Sequence, residues 1–544
     1  MDKNYFLLIF IGFYFFSETV YGQDRYAIHY SYKPQTHFDI GNPSAFISKR
    51  AIDRRIKEGI LLDSTDLPVS QKYVEAISPL VQSISYHSKW LNASVVIATG
   101  EQIEELADFP FIEKVELVAK GFYPVGGQGK MDTHSPINFR IKSKNAEAYE
   151  FQNDILGIPY MHGEGFNGAG IMIAVFDAGY LNADKISGMK HLFEEDRIVA
   201  TKDLVLPGSD DVFRSDGHGT ASLSVMASND PSKLVGGAFG AQYILCITED
   251  ASSEYRIEEY NWVRGAEFSD SLGVDIINSS LGYNRFDDPS MNYAIEDMDG
   301  QTAVVSQGAT LAAQKGILVV CSAGNEGNGS WKTLTAPADA DGILTVGSVN
   351  NDLSRSSFSS IGPTDDGRIK PELAAFGSGV TVWRQLEEPN TSSGTSFTSP
   401  QIAALAAGLW QARPEWTLEK VIVNLLRSGN MAEEPDNELG FGVPNFMDAY
   451  LGEILQMEQA GTKTSPLIYP NPLDGNELFI QYGEQTQCDF KMVSATGQVM
   501  ANHRLTRFSS ENPYEISLKY VLPGIYLIEC GENNHVEKFK LIKR

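Results

Sequence analysis

Four short, glycine-flanked segments carry an acid, an imidazole, an amide and a hydroxyl group, in that order along the chain. The four side chains are Asp177, His218, Asn325 and Ser396. A serine hydroxyl is a weak nucleophile at neutral pH unless a base takes its proton, and an imidazole oriented by a carboxylate is such a base. The amide and a backbone N–H group can bind the oxyanion of a tetrahedral intermediate. These residue types therefore predict acyl transfer to a serine.

Two apolar runs position the acid and the amide. Residues 171–176 precede Asp177, and residues 317–321 come shortly before Asn325. Continuous apolar runs of this length are typical of buried strands in a parallel sheet. Because sites form at the carboxyl ends of such strands, we expect both side chains at one edge of the sheet. The histidine and the serine instead begin segments whose composition favours a helix.

The motifs Asp-Ala-Gly, His-Gly-Thr, Gly-Asn and Gly-Thr-Ser, in this order, resemble those of the subtilisin-like serine peptidases (subtilases), over residues 149–452. The resemblance implies an α/β catalytic domain with a parallel sheet flanked by helices. It implies that Asp177, His218 and Ser396 are catalytic, and that Asn325 and the Ser396 N–H group form an oxyanion hole. The positions at which it implies substrate binding are Ser280, Leu281, Gly282, Ser322, Ala323 and Gly324.

The function implied by this resemblance is that of a secreted serine endopeptidase, which hydrolyses protein or peptide substrates through an acyl-enzyme. Two alternatives stay open. One is a catalytically inactive cell-surface binding protein on the same scaffold, and the other is a peptide ligase or a narrow processing enzyme.

No metal or cofactor is expected for this reaction. The chain has no CxxC or HExxH zinc motif. The loop at residues 229–231 is short, so the calcium site that many subtilases have there is not carried over. A structural calcium ion elsewhere is compatible with the many acidic residues, but no motif indicates one.

Length and charge limit the number of domains and the kinds of partner. The chain has 544 residues and a formal net charge of −27. This length predicts about two to four domains. The excess of acidic residues argues against binding to nucleic acid phosphates. A basic cluster within residues 49–57 is predicted to form the solvated face of a helix.

Residues 1–22 have the pattern of a secretory signal peptide. Lys3 is followed by an apolar run at residues 5–16, and Gly22 offers a small residue for cleavage. An uncleaved anchor is the alternative, although the run is shorter than the ~20 residues that a membrane span needs. No later segment is long enough to be a stable membrane span.

Residues 23–119 alternate strand and helix patterns in a βαββαβ order, which predicts an α+β ferredoxin-like fold. The predicted strands and helices lie at residues 26–30, 70–77, 81–87, 94–98, 101–107 and 112–117. This unit resembles a subtilase propeptide, which implies that it assists folding and inhibits the enzyme until it is cleaved. An accessory domain that stays attached is the alternative. Residues 120–148 are predicted to be an exposed linker.

The C-terminal unit, residues 467–544, follows a second predicted linker at residues 453–466. Its short strands, punctuated by turns, predict a β-sandwich. The segment Tyr469-Pro470-Asn471-Pro472 and the basic end resemble C-terminal sorting domains of the type IX secretion system. This resemblance implies that the chain is handed to that machinery and passes through the periplasm and outer membrane of a Gram-negative bacterium. Cys488 and Cys530 lie in this unit, and the sequence does not decide whether they pair.

Overall fold

The computed structural model describes most of the chain. The described residues are 24–34, 38–106, 108–121, 149–206, 208–384, 386, 388–452, 467–471, 473, 475–481, 486–494, 498–507, 513–532 and 535–544. The predicted signal peptide, nearly all of the linker predicted at residues 120–148, and the linker predicted at residues 453–466 lie outside them. Within the described residues, no helix is both long enough and apolar enough to cross a membrane.

The N-terminal domain has the predicted α+β fold. Its elements are β1 (Asp24–Tyr30), α1 (Lys49–Glu58), α2 (Gln71–Ile77), β2 (Ser83–Ser88), β3 (Ala93–Ala98), α3 (Gly100–Leu106) and β4 (Ile112–Ala119). The sheet is antiparallel with the order β2-β3-β1-β4. This arrangement confirms the ferredoxin-like prediction, with α1 as an addition after the first strand. The aliphatic and aromatic side chains of α2 and α3 pack on one face of the sheet.

The central domain is an α/β unit around a seven-stranded sheet. Its helices are α4 (Glu150–Asp154), α5 (Ile158–Gly163), α6 (Lys190–Glu194), α7 (His218–Ala227), α8 (Ile257–Leu272), α9 (Val304–Gln314), α10 (Ser399–Ala412) and α11 (Leu418–Arg427). Its strands are β5 (Met172–Asp177), β6 (Ile198–Asp203), β7 (Asn229–Asp230), β8 (Leu234–Val235), β9 (Gln242–Ile247), β10 (Ile276–Ser279), β11 (Leu318–Ser322), β12 (Leu344–Val349), β13 (Leu373–Phe376), β14 (Ser378–Val382) and β15 (Asn390–Ser393).

The large sheet is parallel throughout, in the order β13-β12-β11-β10-β5-β9-β6. Alternate residues of β5 pack into two different hydrophobic cores, one on each face of the sheet. Ile173 and Val175 pack with α7 and α10, whereas Ala174 and Phe176 pack with α8 and α9. Both faces are therefore covered, which explains why the strands are continuously apolar. The strand order reverses between β5 and β10, and in such sheets this is where a crevice opens.

The free face of the N-terminal sheet packs on α8. Ala27, Val95 and Val118 join the core that contains α8 and α9. Polar contacts surround this apolar patch. The hydroxyl of Tyr86 donates to Asn261 at 2.8 Å, and the hydroxyl of Ser88 donates to Glu267 at 2.5 Å. The N-terminal domain is therefore docked on the outer helices of the central domain.

The prediction of a solvated basic face on α1 is wrong for two of its arginines. Arg54 and Arg55 are only 6% and 2% exposed. Both guanidinium groups bond to the buried carboxylate of Asp270 near the C-terminal end of α8, and Arg55 also pairs with Asp66 at 2.8 Å. These cations also lie at the negative end of the α8 dipole, which favours them. This basic face of α1 therefore binds the buried Asp270 of the central domain and does not face solvent.

Replacing Arg54 with alanine is expected to destabilise the chain by about 3 kcal/mol, because it removes one partner of a buried ion pair. Urea unfolding of a chain that also carries Ser396→Ala would measure this without self-cleavage. Lys49→Ala is the matched control on the same helix, since Lys49 pairs with Asp53 in solvent. This substitution should lower the free energy of unfolding much less. Equal effects of the two substitutions would contradict the assignment.

The C-terminal unit, described by itself, consists of two antiparallel sheets with a common core. Its strands are β16 (Leu467–Tyr469), β17 (Glu477–Gln481), β18 (Gln487–Ser494), β19 (Val499–Thr506), β20 (Tyr514–Ser517), β21 (Gly524–Glu532) and β22 (His535–Lys543). The sheet orders are β16-β17-β20 and β19-β18-β21-β22. Leu478, Phe490 and Ile528 are fully buried between them, as expected of a β-sandwich. The thiols of Cys488 and Cys530 lie in this core, with their Sγ atoms 2.8 Å apart.

Candidate active site

The side chains of Asp177 and His218 form a hydrogen-bonded pair where β5 ends and α7 begins. The imidazole Nδ1 lies 2.9 and 3.0 Å from the two carboxylate oxygens. Asp177 is fully buried, and its oxygens also accept from the N–H group of Ala178 at 2.8 Å and the hydroxyl of Ser222 at 3.3 Å. Because a carboxylate only accepts hydrogen bonds, Nδ1 carries the proton and Nε2 is left able to accept one.

A glycine allows this close approach. A Cβ atom on Gly219 would lie 2.5 Å from the carbonyl oxygen of Gly179 and 2.8 Å from the Cβ of Asp177. Real Cβ atoms essentially never lie within 3.0 Å of such atoms, so any larger residue here would push the two segments apart. The glycine that follows the histidine therefore brings the first turn of α7 against the end of β5.

The surroundings of His218 act on its pKa in opposite directions. Burial lowers the pKa of the imidazole, whereas the charge of Asp177 and its hydrogen bond raise it, and the net result is a raised pKa. The ring of Phe397 packs against the imidazole with 5.7 Å between ring centroids. No sequence motif indicated this aromatic contact.

Ser396 lies in a single 3-10 turn (Thr395–Phe397) directly before α10 and is half-buried. Its hydroxyl donates to the backbone carbonyl of Ser280 at 3.3 Å, and the hydroxyl of Ser280 donates to the carbonyl of Ser396 at 2.8 Å. Within the described residues, the Ser396 hydroxyl is thus bonded to a carbonyl rather than to the imidazole of His218. Catalytic hydrogen bonds are often loose in the absence of substrate.

The amide of Asn325 is held in one orientation. Its Oδ1 accepts the backbone N–H and the hydroxyl of Thr395, at 2.9 and 3.0 Å. The amide oxygen is therefore engaged, and the NH₂ group remains as the donor. Only the position of Thr395 next to the serine could have indicated this supporting contact from the sequence.

A single cleft with a volume of about 150 Å³ joins these groups. The predicted residues that line it are Asp177, His218, Ser280, Leu281, Gly282, Ser322, Gly324, Asn325 and Ser396. Ala323 is instead buried in the core shared by α8 and α9. Part of the cleft wall is formed by three acidic residues that sequence motifs did not indicate, Glu249, Asp250 and Glu254.

Comparison with known families identifies the central domain. The model of the subtilase family, peptidase S8, matches residues 168–442, which is half of the chain. The chain belongs to the subtilase family. A propeptide domain of peptidase S8 from Bacteroidota matches residues 25–130, and a secretion system C-terminal sorting domain matches residues 467–544.

Curated relatives are identical to this subtilase at about a quarter of the aligned residues. Subtilisin NAT of Bacillus subtilis subsp. natto is 25% identical over 359 residues, which are 65% of this chain and 79% of the relative. Subtilisin DY of Bacillus licheniformis is 29% identical over 266 residues, or 47% of this chain and 83% of the relative. The crystal structure of MycP1 with the N-terminal propeptide removed is 22% identical, with a TM-score of 0.43, and covers 55% of this chain and 96% of that one.

Family membership and the sorting domain together indicate a secreted serine peptidase. The sorting domain indicates that this subtilase is secreted or held at the cell surface in a bacterium of the Bacteroidota. Its own propeptide and the secretion machinery are therefore its partners.

Proposed function

We propose that this subtilase is an endopeptidase that cleaves peptide bonds through an acyl-enzyme on Ser396. The observation that carries the proposal is the buried Asp177–His218 pair, whose imidazole lines the same cleft as Ser396 and Asn325. The propeptide inhibits the precursor, and the mature enzyme lacks the signal peptide, the propeptide and the sorting domain.

The reaction begins when a peptide pairs with the strand edge at Ser280–Gly282. An N–H group of the peptide takes the Ser280 carbonyl as its acceptor, which releases the Ser396 hydroxyl from its present bond. The hydroxyl then turns to the Nε2 atom of His218, which accepts its proton as Oγ attacks the scissile carbonyl. Asp177 stabilises the imidazolium that forms.

The negative charge on the tetrahedral intermediate is bound by two donors, the NH₂ group of Asn325 and the backbone N–H group of Ser396. His218 gives its proton to the leaving amine, and the C–N bond breaks. Water then attacks the acyl-enzyme, His218 accepts the water proton, and the same histidine returns a proton to Ser396 as the acid is released. No cofactor takes part in these steps.

Intact mass spectrometry of the secreted protein, with and without a fluorophosphonate, tests the proposal. We expect a mature chain that lacks both end domains and gains one inhibitor at Ser396. A full-length, unlabelled chain would support the alternative, an inactive binding protein on a subtilase scaffold.

Asn325→Leu is expected to lower kcat by about 10²–10³-fold with little change in KM, because the lost donor acts on the oxyanion and not on the bound substrate. Steady-state kinetics on a fluorogenic peptide measures this split. Thr395→Val is the graded control, because it removes one of the two bonds to Oδ1 but keeps the backbone bond. A rise in KM with unchanged kcat for Asn325→Leu would contradict the proposed role.

A further inference from the structure

The acidic wall of the cleft has no part in the mechanism above. Glu249, Asp250 and Glu254 line the cleft that contains His218 and Ser396. Glu258, in the first turn of α8, lies behind them, and one carboxylate oxygen from each of the three glutamates lies within 4.8 Å of the others. Three carboxylates at such distances repel one another in a site with limited access to water.

Glu258 provides a second, independent observation. The side chain is 1% exposed, and one of its oxygens accepts the backbone N–H group of Asp250 at 3.2 Å. The other oxygen, Oε2, is buried and has no hydrogen-bond partner among the described residues. A buried polar atom without a partner is costly, so this oxygen is suited to a donor that arrives with a ligand.

The cluster also lacks a counter-charge at Glu249 and Glu258. In the described part of the chain, neither carboxylate forms an ion pair. Glu249 accepts from the neutral hydroxyl of Tyr283, and its acidic neighbours are the carboxyl groups of Glu254 and Glu258. Burial and the neighbouring carboxylates raise the pKa of both groups well above the usual range. A bound cation would offset both the cost of burying these carboxylates and the repulsion between them.

The precursor already brings a cation to this wall. Arg25, on β1 of the propeptide, is buried and lies close enough to Asp250 for the two charges to interact. Lys120, just after β4, pairs with Asp288 at 2.7 Å. The backbone of Glu254 is hydrogen-bonded to Asp287, the residue next to Asp288. The propeptide therefore approaches this side of the cleft with basic side chains.

We propose that Glu249, Glu254 and Glu258 form a specificity subsite for a lysine or arginine side chain of the bound peptide. The inference rests on the proposed function, because the peptide must lie in the cleft that Glu249 and Glu254 line together with Ser280–Gly282. A guanidinium or ammonium group offers several N–H donors to the three carboxylates. A substrate side chain is favoured over a metal ion because the cluster opens into the cleft and supplies few of the six to eight oxygens that calcium prefers.

A scan with arginine and citrulline tests this subsite on the enzyme as its host secretes it. Arginine is placed in turn at each position of a quenched peptide N-terminal to the cleaved bond and compared with citrulline, its neutral isostere. We expect an arginine-to-citrulline ratio of kcat/KM of about tenfold or more at one position, since charged hydrogen bonds are the strong ones. The ratio should fall towards one in Glu249→Gln and in Glu254→Gln. Glu433→Gln, at an exposed site outside the cleft, should keep it.

Four outcomes would overturn the proposal. A ratio near one at every position, or a ratio that both variants retain, contradicts the proposed subsite. If the citrulline peptides are nevertheless cleaved, the proposed function is still supported. If calcium chloride raises the melting temperature of the wild type but not of the variants, and the ratio is near one, the cluster is a metal site. If no peptide is cleaved and no fluorophosphonate binds, the proposed function fails together with the subsite.

Discussion

Replacing Ser396 with alanine is expected to lower kcat by about 10⁶-fold, because no acyl-enzyme can form without the hydroxyl. The oxyanion donors and the bound substrate would still give about 10³–10⁴-fold catalysis over water. Folding should be nearly unaffected, since the hydroxyl makes one hydrogen bond, of 3.3 Å, to the carbonyl of Ser280. The measurement is kcat on a fluorogenic peptide, together with the melting temperature of the same sample.

The control for this prediction is Ser357→Ala, which removes an exposed serine hydroxyl outside the cleft. That variant should keep both turnover and labelling by a fluorophosphonate. Turnover at the wild-type rate in Ser396→Ala, or a label that still binds it, would mean that another residue is the nucleophile. A lowered melting temperature in Ser396→Ala would instead mean that misfolding causes the loss of turnover. For this reason kcat and the melting temperature are measured on the same sample.

The fold was predictable because its strands are buried on both faces. The run that precedes Asp177 is apolar at every position, and the structure places it in the interior of a parallel sheet. Once parallel strands are expected, the carboxyl ends of β5 and β11 must meet at one edge, which brings Asp177 and Asn325 towards each other without knowledge of any contact. The N-terminal fold was predictable for a different reason, because its strands and helices alternate along the chain in the βαββαβ order.

Contacts between residues that are distant in sequence were not predictable. Arg55 and Asp270 are 215 positions apart, and no local pattern distinguishes a basic face that meets water from one that meets a buried acid. The same reason applies to Phe397 beside His218 and to Thr395 beside Asn325. The acidic wall was missed for a related reason, because Glu249 and Glu254 follow β9 in a segment without a recognisable motif.

Replacing Asp177 with asparagine is expected to lower kcat by about 10⁴-fold although the side chain keeps its shape. The carboxylate accepts the Nδ1 proton of His218 and so leaves Nε2 free to take the serine proton. An asparagine would keep its oxygen on the N–H group of Ala178 and turn its NH₂ group towards the imidazole. Nδ1 would then have to accept, and the proton would move to Nε2, where it blocks the base.

The same substitution should move the pH profile in a definite direction. Burial lowers the pKa of His218, but the charge and hydrogen bond of Asp177 raise it further than burial lowers it. Without that charge the pKa of His218 falls, so the neutral imidazole that acts as the base persists to lower pH. The acid limb of kcat/KM should therefore shift to lower pH in Asp177→Asn, while the plateau drops.

Ser222→Ala separates the charge of Asp177 from its other contacts. It removes the 3.3 Å hydrogen bond to the carboxylate but leaves the negative charge beside the imidazole. We expect only a small change in both the plateau and the acid limb for this variant. If Asp177→Asn lowers the plateau but leaves the acid limb in place, the carboxylate acts by orienting His218 and not through its charge. If neither changes, Asp177 is not the partner of the catalytic base.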